Sequence, residues 1–402
     1  MITLQVLEHS TLKVNGETFQ KRHLALLHNF KQKHKTSFFT VGYNYVKFHH
    51  YVGVLKVGNL FIEILPKIDR HQNDTALLKN VLIQLLKAAG AIKIHTLPQT
   101  QLQQQQLPLL DIFVEQFINE VEQLYFKGLV KKYIRQRANQ TALKGRLIFS
   151  ENIKRNLIHK EHFFIEFSDY NYDNIYNQII YKALTISQNI TSNPHLKQRT
   201  AGLLMLLPPV SNKKITEKHF ARLTFNRQTE KYKNAIALAK LIVLNYSPDL
   251  TAGNDNVFGL LFDMNQLFEL YIYKQLKKLN DENLKVKYQT SKIFWKGIKI
   301  RPDIVIEKDG QTIIIDTKWK MLQKIEPSMD DLRQMFVYTK YWNAKKALLL
   351  YPQHQNLADS NFISYKESKE SNASLKVAFV NLLTDDGLNR NIGKEILNKL
   401  ES

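Results

Sequence analysis

The order of hydrophobic and polar residues divides the chain into two parts with different patterns. Residues 1–70 are rich in strand patterns, and strands at 46–57 and 60–67 would be joined at Gly58-Asn59. A helix follows, with Asn73 or Asp74 as its N-cap and Gly90 after its end. A Gln-rich polar connection at 99–106 separates it from further helices, which the spacing predicts at 109–132 and 228–247.

Pro208-Pro209 and the basic loop at 211–218 mark the best domain boundary. Beyond it the pattern predicts, in order, a helix at 262–279, strands at 284–289, 292–301, 303–307 and 312–318, a helix from the N-cap Ser328 to Trp342, and strands at 346–351 and 375–381. We therefore expect an α+β or α/β protein with two domains. Residues 1–215 would be β-rich and helical, and residues 216–402 would form a mixed sheet flanked by helices.

The most informative stretch is a predicted hairpin around Asp309-Gly310, which lies between two runs rich in Ile and Val. If these two residues form the turn, residue 308 faces 311, and the same register brings Asp303 directly opposite Asp316. Because side chains alternate along a strand, Lys318 shares the face of Asp316. The sequence thus predicts three charged groups at one end of the hairpin.

Two carboxylates that face each other across strands normally destabilise a sheet. At roughly 5 Å and an effective dielectric near 20, their repulsion is about 3 kcal/mol. A shared proton would relieve it, and so would a bound divalent cation, for which oxygen ligands with few neighbouring His favour Mg²⁺ or Mn²⁺. Lys318 could then hold a water or a phosphate. The alternative is a solvated hairpin in which Lys318 only neutralises Asp316.

Pro302-Asp303 and Asp316-Thr317-Lys318 together resemble the two halves of the PD-(D/E)xK nuclease motif. The motif is short, but its position in a hairpin between two helical patterns makes the likeness more specific. Helix, three-strand meander, helix and strand is also the core order of that superfamily. The resemblance implies a restriction-endonuclease-like domain that hydrolyses phosphodiesters with Mg²⁺. Asp303, Asp316 and the carbonyl of Thr317 would bind the metal, and Lys318 would act in the chemical step.

Two helical positions are candidates to support this site. Glu269 lies on an otherwise apolar stripe and has no Lys or Arg three or four residues away. The nuclease resemblance implies that Glu269 reaches the metal, although a stripe-edge carboxylate could also reach solvent. Gln334 and Tyr338 share one face of the next helix. The resemblance implies that Gln334 touches Lys318 or the scissile phosphate. Tyr338 beside it is a candidate DNA contact, and an ordinary surface pair is the alternative for both residues.

Three further side chains flank the predicted site. Arg301 and Lys320 could hold DNA phosphates, or they could be solvated charges. Trp319 points to the opposite face from Lys318. We therefore expect Trp319 to belong to the core rather than to stack on a base.

The charge balance favours a polyanionic partner. The chain of 402 residues carries 57 Lys and Arg against 36 Asp and Glu, a net charge of +21. Such an excess is typical of proteins that bind nucleic acid, although a Lys-rich composition can also come from an AT-rich genome. The chain has no Cys, which excludes disulfides and thiolate metal sites. It has no run of about 18 apolar residues and no secretory signal, so we expect a cytoplasmic protein without a membrane span.

Several phrases outside the hairpin point to one nuclease family. They are Val52-Gly53-Val54, the strand end at 62–68, the segment 143–147, Phe167-Ser168-Asp169, Asn177-Gln178 and Leu267-Phe268-Glu269. Together they resemble the McrC family, the nuclease subunit of McrBC-type modification-dependent restriction systems. The likeness spans most of the chain and is looser within 1–45, 91–140 and 190–225.

This resemblance implies a partner, an McrB-like AAA+ GTPase that forms a hexameric ring and binds the GTP. Residues 1–215 would dock on the ring and stimulate it, and the substrate would be double-stranded DNA containing modified cytosine. The sequence has no Gly-x-x-x-x-Gly-Lys-Ser/Thr loop and no recognisable base-reading module, so GTP hydrolysis would come from another chain. Two alternatives stay open. One is a stand-alone DNA nuclease, and the other is a GTPase-activating adaptor that has lost cleavage.

Overall fold

The computed structural model describes residues 2–68, 74–90, 108–247, 256–279, 282–322, 324–353, 357–365, 373–384 and 387–401. Its strands are β1 (Ile2–Leu7), β2 (Thr11–Lys13), β3 (Phe39–Val41), β4 (Tyr45–Phe48), β5 (Tyr51–Val57), β6 (Leu60–Leu65), β7 (Lys132–Gln140), β8 (Arg146–Leu147), β9 (Phe163–Asn171), β10 (Tyr246–Ser247), β11 (Val257–Asp263), β12 (Leu284–Tyr288), β13 (Lys292–Trp295), β14 (Ile298–Ile300), β15 (Ile304–Lys308), β16 (Gln311–Thr317), β17 (Lys346–Pro352), β18 (Ile363–Ser364), β19 (Ser374–Val380), β20 (Leu383–Thr384) and β21 (Gly387–Leu388). Its α-helices are α1 (Lys21–His34), α2 (Thr75–Ala88), α3 (Leu109–Phe126), α4 (Phe149–Asn156), α5 (Ile175–Ile190), α6 (Pro194–Leu206), α7 (Glu217–Ala221), α8 (Lys233–Leu244), α9 (Met264–Lys277), α10 (Met329–Trp342) and α11 (Ile392–Glu401).

The chain forms two compact units, and the predicted boundary after residue 215 does not separate them. Unit 1 combines Met1–Gln106 with Leu261–Ser402, and unit 2 is Leu107–Leu260. The basic loop at 211–218 therefore lies inside unit 2. Local patterns could not show this, because unit 1 is held by contacts between distant segments. One of them is the backbone N–H of Leu388, which donates to Gln84 Oε1 at 3.1 Å.

A six-stranded mixed sheet organises the C-terminal part of unit 1, in the order β12-β15-β16-β17-β19-β18. The pairs of β15 with β12 and β16 are antiparallel, and β17 lies parallel to both β16 and β19. Helix α10 covers one face, where Met335 and Tyr338 pack against Ile314, Leu349 and Phe379. Helix α9 contacts β12 and β16, and α11 contacts β19. The predicted mixed α/β fold, with a sheet flanked by helices, is confirmed.

The N-terminal part of unit 1 contains two smaller strand groups. Strand β6 pairs parallel with β1 and antiparallel with β5, and β2, β4 and β3 form a separate antiparallel group. Helix α2 begins as predicted after Asp74, whose side chain accepts from the Leu77 N–H at 2.9 Å. Gly90 ends it with a φ of 68°. The alternative N-cap Asn73 and the Gln-rich segment at 99–106 lie outside the described residues.

Three predicted elements differ from the structure. The strand predicted at 46–57 is broken at His49, whose N–H bonds to the Phe38 carbonyl, so that β4 and β5 are separate. The strand predicted at 292–301 is a hairpin, because Lys296 and Gly297 both adopt positive φ, 38° and 88°. The helix predicted at 109–132 ends at Phe126, since Gly128 turns the chain with a φ of 80°.

Unit 2 packs helices α3, α5, α6 and α8 around one another and carries the three-stranded sheet β7-β9-β8. A buried polar network at its centre includes Asn177. The Nδ2 atom of Asn177 donates to the carbonyls of Tyr172, at 2.8 Å, and Val130, at 3.1 Å. Its Oδ1 accepts from the Tyr232 hydroxyl at 2.7 Å, which in turn accepts from the Val130 N–H. Asn177 therefore ties α5 to two distant segments of its unit.

No helix in the described ranges has both the length and the apolar character needed to cross a bilayer.

Candidate active site

The predicted register of the central hairpin is confirmed. Strands β15 and β16 pair from Lys308↔Gln311 to Ile304↔Ile315. The turn residues Asp309 and Gly310 have φ values of 49° and 71°, as a two-residue turn of this kind requires. Asp303 directly precedes β15, and its Oδ2 accepts from the N–H of Thr317 at 2.7 Å and from its hydroxyl at 2.9 Å. The hairpin thus brings Asp303 to the end of β16 that carries Asp316.

Lys318 lies among acceptors from both the hairpin and helix α10. Its Nζ is 2.8 Å from Asp316 Oδ2, 2.9 Å from Gln334 Oε1 and 3.4 Å from Asp331 Oδ1. The contact with Asp316 is a close ion pair, and Asp316 Oδ2 is buried. Asp331, whose backbone N–H donates to the N-cap Ser328 hydroxyl at 3.2 Å, therefore also neutralises Lys318.

The two facing carboxylates are electrostatically unfavourable. Burial raises the pKa of both carboxyls; the charge of Glu269 adds to the rise at Asp303, and the charge of Asp303 adds to it at Asp316. Burial alone would lower the pKa of Lys318, but the carboxylates of Asp316 and Asp331 outweigh it and the pKa is raised. Lys318 is therefore held as a cation beside carboxyls that resist ionisation.

Gln334 and Tyr338 continue a chain of hydrogen bonds that begins at Lys318. The Nε2 atom of Gln334 donates to the Tyr338 hydroxyl at 2.8 Å, and this hydroxyl donates to the Arg301 carbonyl at 3.0 Å. The contact of Gln334 with Lys318 is the one expected from the nuclease resemblance. Tyr338 was expected to contact DNA, but only 5% of its surface is exposed. Its hydroxyl already accepts one hydrogen bond and donates another. Its position suits holding Gln334.

Glu269 reaches the site from helix α9 and is 6% exposed. Its Oε1 accepts from Gln289 Nε2 at 2.8 Å, and burial raises its pKa. The solvent-reaching alternative for Glu269 is therefore wrong. Gln289, which follows β12, had no signal in the sequence that linked it to Glu269.

Arg301 and Lys320 occupy the exposed surroundings of the site. Arg301 lines a cleft of about 880 Å³ together with Gln334 and Tyr338. The Lys320 side chain is 58% exposed, and its Nζ lies 3.6 Å from Asp331 Oδ2. Both residues remain accessible to a ligand, as a phosphate-binding role requires.

Trp319 is a core residue, as predicted, and has a partner that the sequence did not reveal. Its ring lies 5.4 Å from that of Phe268, and its Nε1 donates to Glu8 Oε1 at 2.8 Å. The same oxygen accepts from the Lys67 N–H at 2.9 Å. Burial raises the pKa of Glu8 to about 7. Glu8, the residue that follows strand β1, thus contacts the residue next to Lys318.

The donor set fits a divalent cation. The buried carboxyls of Asp316 and Asp303 are hard oxygen ligands of the kind that Mg²⁺ or Mn²⁺ takes. The described residues contain no group of three or more His, Asp or Glu side chains arranged to hold a metal. A cation here would therefore depend on the two aspartates, with Glu269 and the Thr317 carbonyl as further candidates.

Comparison with known proteins defines the class to which this fold and site belong. The family model described as "McrBC 5-methylcytosine restriction system component" matches residues 46–352. The match covers well over half of the chain, so the chain belongs to this family. The resemblance to McrC found in the sequence is thereby confirmed.

A restriction enzyme of known type is also similar to this chain. The Type IV methyl-directed restriction enzyme EcoKMcrBC of Escherichia coli (strain K12) is 26% identical over 225 residues, which cover 52% of this chain. The match spans 64% of that relative, less than two thirds of its length.

Two solved structures share the fold. A half-complex of Thermococcus gammatolerans McrB AAA+ hexamers with bound McrC gives a TM-score of 0.69 at 23% identity, covering 99% of this chain and 100% of that one. The Thermococcus gammatolerans McrBC complex gives 0.50 at 24% identity, covering 69% of this chain and 87% of that one.

Proposed function

We propose that this chain is the DNA-cleaving subunit of a GTP-dependent, modification-dependent restriction complex. The observation that carries the proposal is the convergence of Asp303, Asp316, Lys318 and Gln334 at one end of the β15–β16 hairpin. These are the residue types of the PD-(D/E)xK motif, and they occur in a chain of the McrBC family. Two facing carboxyls whose pKa values are raised by burial favour a cation site over a solvated hairpin.

Each side chain has a separate task in this proposal. Asp303 and Asp316 would hold Mg²⁺, which Mn²⁺ could replace, with the Thr317 carbonyl as a further ligand. Glu269 is the candidate for an additional carboxylate, although the described residues do not bring three such groups together. A bound divalent cation supplies positive charge beside the phosphate and makes a bound water more acidic. Lys318, fixed by Gln334 and two carboxylates, stabilises the negative charge that develops on the scissile phosphate and orients the attacking water. Arg301 and Lys320 bind flanking phosphates.

The partner would be a hexameric McrB-like AAA+ GTPase, which binds and hydrolyses the GTP. Support comes from the solved Thermococcus gammatolerans assemblies, in which McrC is bound to McrB AAA+ hexamers. The present sequence has no phosphate-binding loop of its own. Docking was expected within residues 1–215. Since residues 1–106 belong to the unit that holds the candidate active site, residues 107–215, in unit 2, are the better candidate for a purely docking role.

The test measures DNA cleavage and GTP hydrolysis in the same reaction. The full chain and Asp316→Ala are each mixed with the McrB-like GTPase of the same organism, Mg²⁺, GTP and duplex DNA containing 5-methylcytosine. The full chain should stimulate GTP hydrolysis and cut the DNA. Asp316→Ala should keep the stimulation and lose the cutting, because Asp316 lies in the candidate active site and outside the residues proposed for docking.

Two other results would replace this proposal. Efficient cutting without the GTPase, and no stimulation of it, would establish a stand-alone nuclease. Stimulation without cutting by the unaltered chain, with either Mg²⁺ or Mn²⁺, would establish an adaptor. A chain beginning at residue 216 is unsuitable for this test, since it would lose Glu8 and Gln84, which hold the C-terminal part of unit 1.

A further inference from the structure

A small ribbon beside the candidate active site has no role in the chemistry described above. Within the described ranges, strands β13 and β14 pair only with each other, with partners Lys292↔Ile300, Ile293↔Lys299 and Trp295↔Ile298. The register shifts between Ile293 and Trp295, as at a β-bulge. The ribbon is therefore a separate element inserted between two strands of the six-stranded sheet, β12 and β15.

The ribbon exposes an unusual number of large apolar side chains. The exposed fractions are 65% for Ile293, 46% for Phe294, 59% for Trp295 and 56% for Ile298. These four residues lie within six positions, so the apolar exposure is concentrated on one short element. Concentrated apolar exposure marks an interaction site more often than single exposed residues do.

The base of the ribbon is anchored, so its exposed tip is presented in a fixed direction. The Nζ atom of Lys292 donates to the Tyr341 carbonyl at 2.7 Å and lies 5.0 Å from the Trp342 ring centre. The Phe294 ring lies 5.5 Å from the Tyr341 ring. These contacts fix the ribbon to the end of helix α10, and Trp295 and Ile298 lie beyond them.

The charge of this segment is entirely positive. Between residues 284 and 302 the basic residues are Lys285, Lys287, Lys292, Lys296, Lys299 and Arg301, and there is no Asp or Glu. A protein partner that bound the apolar residues would not require every charged residue around them to be basic. Apolar and aromatic side chains interleaved with Lys and Arg, without acidic residues, match a nucleic-acid surface instead.

The ribbon is also continuous with the candidate active site. Phe294, Lys299, Ile300 and Arg301 line the same cleft of about 880 Å³ as Gln334. Gln334 bonds to Lys318, so a strand of DNA that follows the cleft would lead from the ribbon to the reacting groups.

We propose that the β13–β14 ribbon enters a groove of duplex DNA beside the bond to be cut. Trp295 and Ile298 contact the bases, and Lys296 and Lys299 contact phosphates. The major groove of DNA is wide enough for a two-stranded ribbon, and apolar side chains at such tips can wedge against base steps. The inference rests on the proposed function in that it requires DNA to be the substrate, but it does not require cleavage to occur.

The test measures binding of the full chain to a fluorescent duplex of about 30 base pairs with one 5-methylcytosine, in Ca²⁺ to prevent cutting, across a range of salt concentrations. Trp295→Ala should weaken binding about tenfold, since an aromatic contact with bases is worth this much. Tyr43→Ala is the matched control, because Tyr43 is also an aromatic residue near a hairpin turn and is 88% exposed. It should bind as the unaltered chain does.

A second pair of variants tests the charge. Lys299→Ala should reduce the slope of log affinity against log salt by about one, as expected for one lost phosphate contact. Lys394→Ala, an exposed lysine of α11 outside the cleft lining, should leave that slope unchanged. Tryptophan fluorescence gives a direct reading, because DNA should quench it in the unaltered chain and much less in Trp295→Phe.

The outcomes separate this inference from the proposed function. Tight DNA binding that Trp295→Ala and Lys299→Ala leave unchanged would overturn the inference, even if the chain cuts DNA. A change in sedimentation or in GTPase stimulation, with unchanged DNA binding, would assign the ribbon to a protein interface and overturn it too. Weakened DNA binding by a chain that never cuts would support the inference and contradict the proposed nuclease.

Discussion

Both units bury a cluster of polar side chains. The clusters differ in how completely hydrogen bonds and opposite charges compensate the burial of their polar groups. In unit 2, the Asn177 amide nitrogen donates to the carbonyls of Val130 and Tyr172, and its oxygen accepts from the Tyr232 hydroxyl. In unit 1, the buried Asp316 faces a second carboxyl, Asp303, and the Lys318 ammonium 2.8 Å from its Oδ2 offsets only part of this repulsion. The first arrangement stabilises the fold, whereas the second is costly unless another group completes it.

This contrast separates structural from functional polar residues. Asn177 belongs to one of the phrases that resemble the McrC family, yet its contacts explain its presence as a support for the fold. The Asp303–Asp316 pair opposes folding, so its presence calls for a ligand. A buried polar group with complete partners indicates structure, and an incomplete one indicates a site.

The largest expected effect is on chemistry in unit 1. Lys318→Ala should reduce the rate of DNA cleavage about a thousandfold, or about 4 kcal/mol, because Lys318 acts on the developing charge. DNA affinity should change little. Lys320→Ala, two residues away and exposed, should lower the rate less than about tenfold. Single-turnover cleavage with metal, GTP and partner supplied gives the comparison. Cleavage by Lys318→Ala at the rate of the unaltered chain would refute the mechanism.

The next effect should be on stability in unit 2. Asn177→Ala removes three hydrogen bonds from a buried site and should lower the free energy of unfolding by about 3 kcal/mol. Gln188→Ala, a half-buried position of the same helix, should cost less than about 1 kcal/mol. Urea unfolding measures both. An Asn177→Ala protein of normal stability but without activity would mean that Asn177 has a functional role instead.

Glu8 offers a pH-dependent effect in unit 1. Its pKa in the folded protein is raised to about 7 from 4.5, so the folded state binds a proton that the unfolded state has released. The stabilisation that the folded protein gains from this bound proton is fully present below pH 4.5 and is lost as the pH rises through 7. Relative to the unaltered chain, Glu8→Gln should therefore gain about 2 kcal/mol of stability between pH 5.5 and 8.

Thermal unfolding of both proteins across this pH range tests the Glu8 prediction. His9, Lys67 and Asp263, which interact with Glu8, are the same in both, so the difference isolates Glu8. A stability difference that does not change with pH would contradict the assignment.

The smallest expected effect concerns Tyr338. Tyr338→Phe removes the hydroxyl that accepts from Gln334 and donates to the Arg301 carbonyl, and should slow cleavage about fivefold, or about 1 kcal/mol. DNA affinity should not change, because the side chain is buried. If affinity falls and the cleavage step does not slow, Tyr338 contacts DNA directly, as the sequence first suggested.

The sequence allowed the site to be predicted where local rules decide its geometry. Asp309-Gly310 fixes the hairpin turn, the turn fixes the register, and the register places Asp303 near Asp316. The spacing of Gln334 and Tyr338 on one helix is equally local. The contact of Trp319 with Glu8 joins residues 311 positions apart, and no local pattern could reveal it. The predicted domain boundary after residue 215 was wrong for the same reason. Strands β1–β6 and helix α2 belong to the unit of the C-terminal sheet through such long-range contacts.

Mg²⁺ binding tests the central claim most directly. Titration calorimetry of the full chain in the absence of DNA should detect a site, and Asp316→Asn should abolish it. Without Mg²⁺, Asp316→Asn should unfold at a higher temperature than the unaltered chain, because one of two facing charges is gone. Added Mg²⁺ should raise the unfolding temperature of the unaltered chain only. Equal Mg²⁺ binding by both proteins would contradict the account, because the carboxylate pair would then not be the metal site.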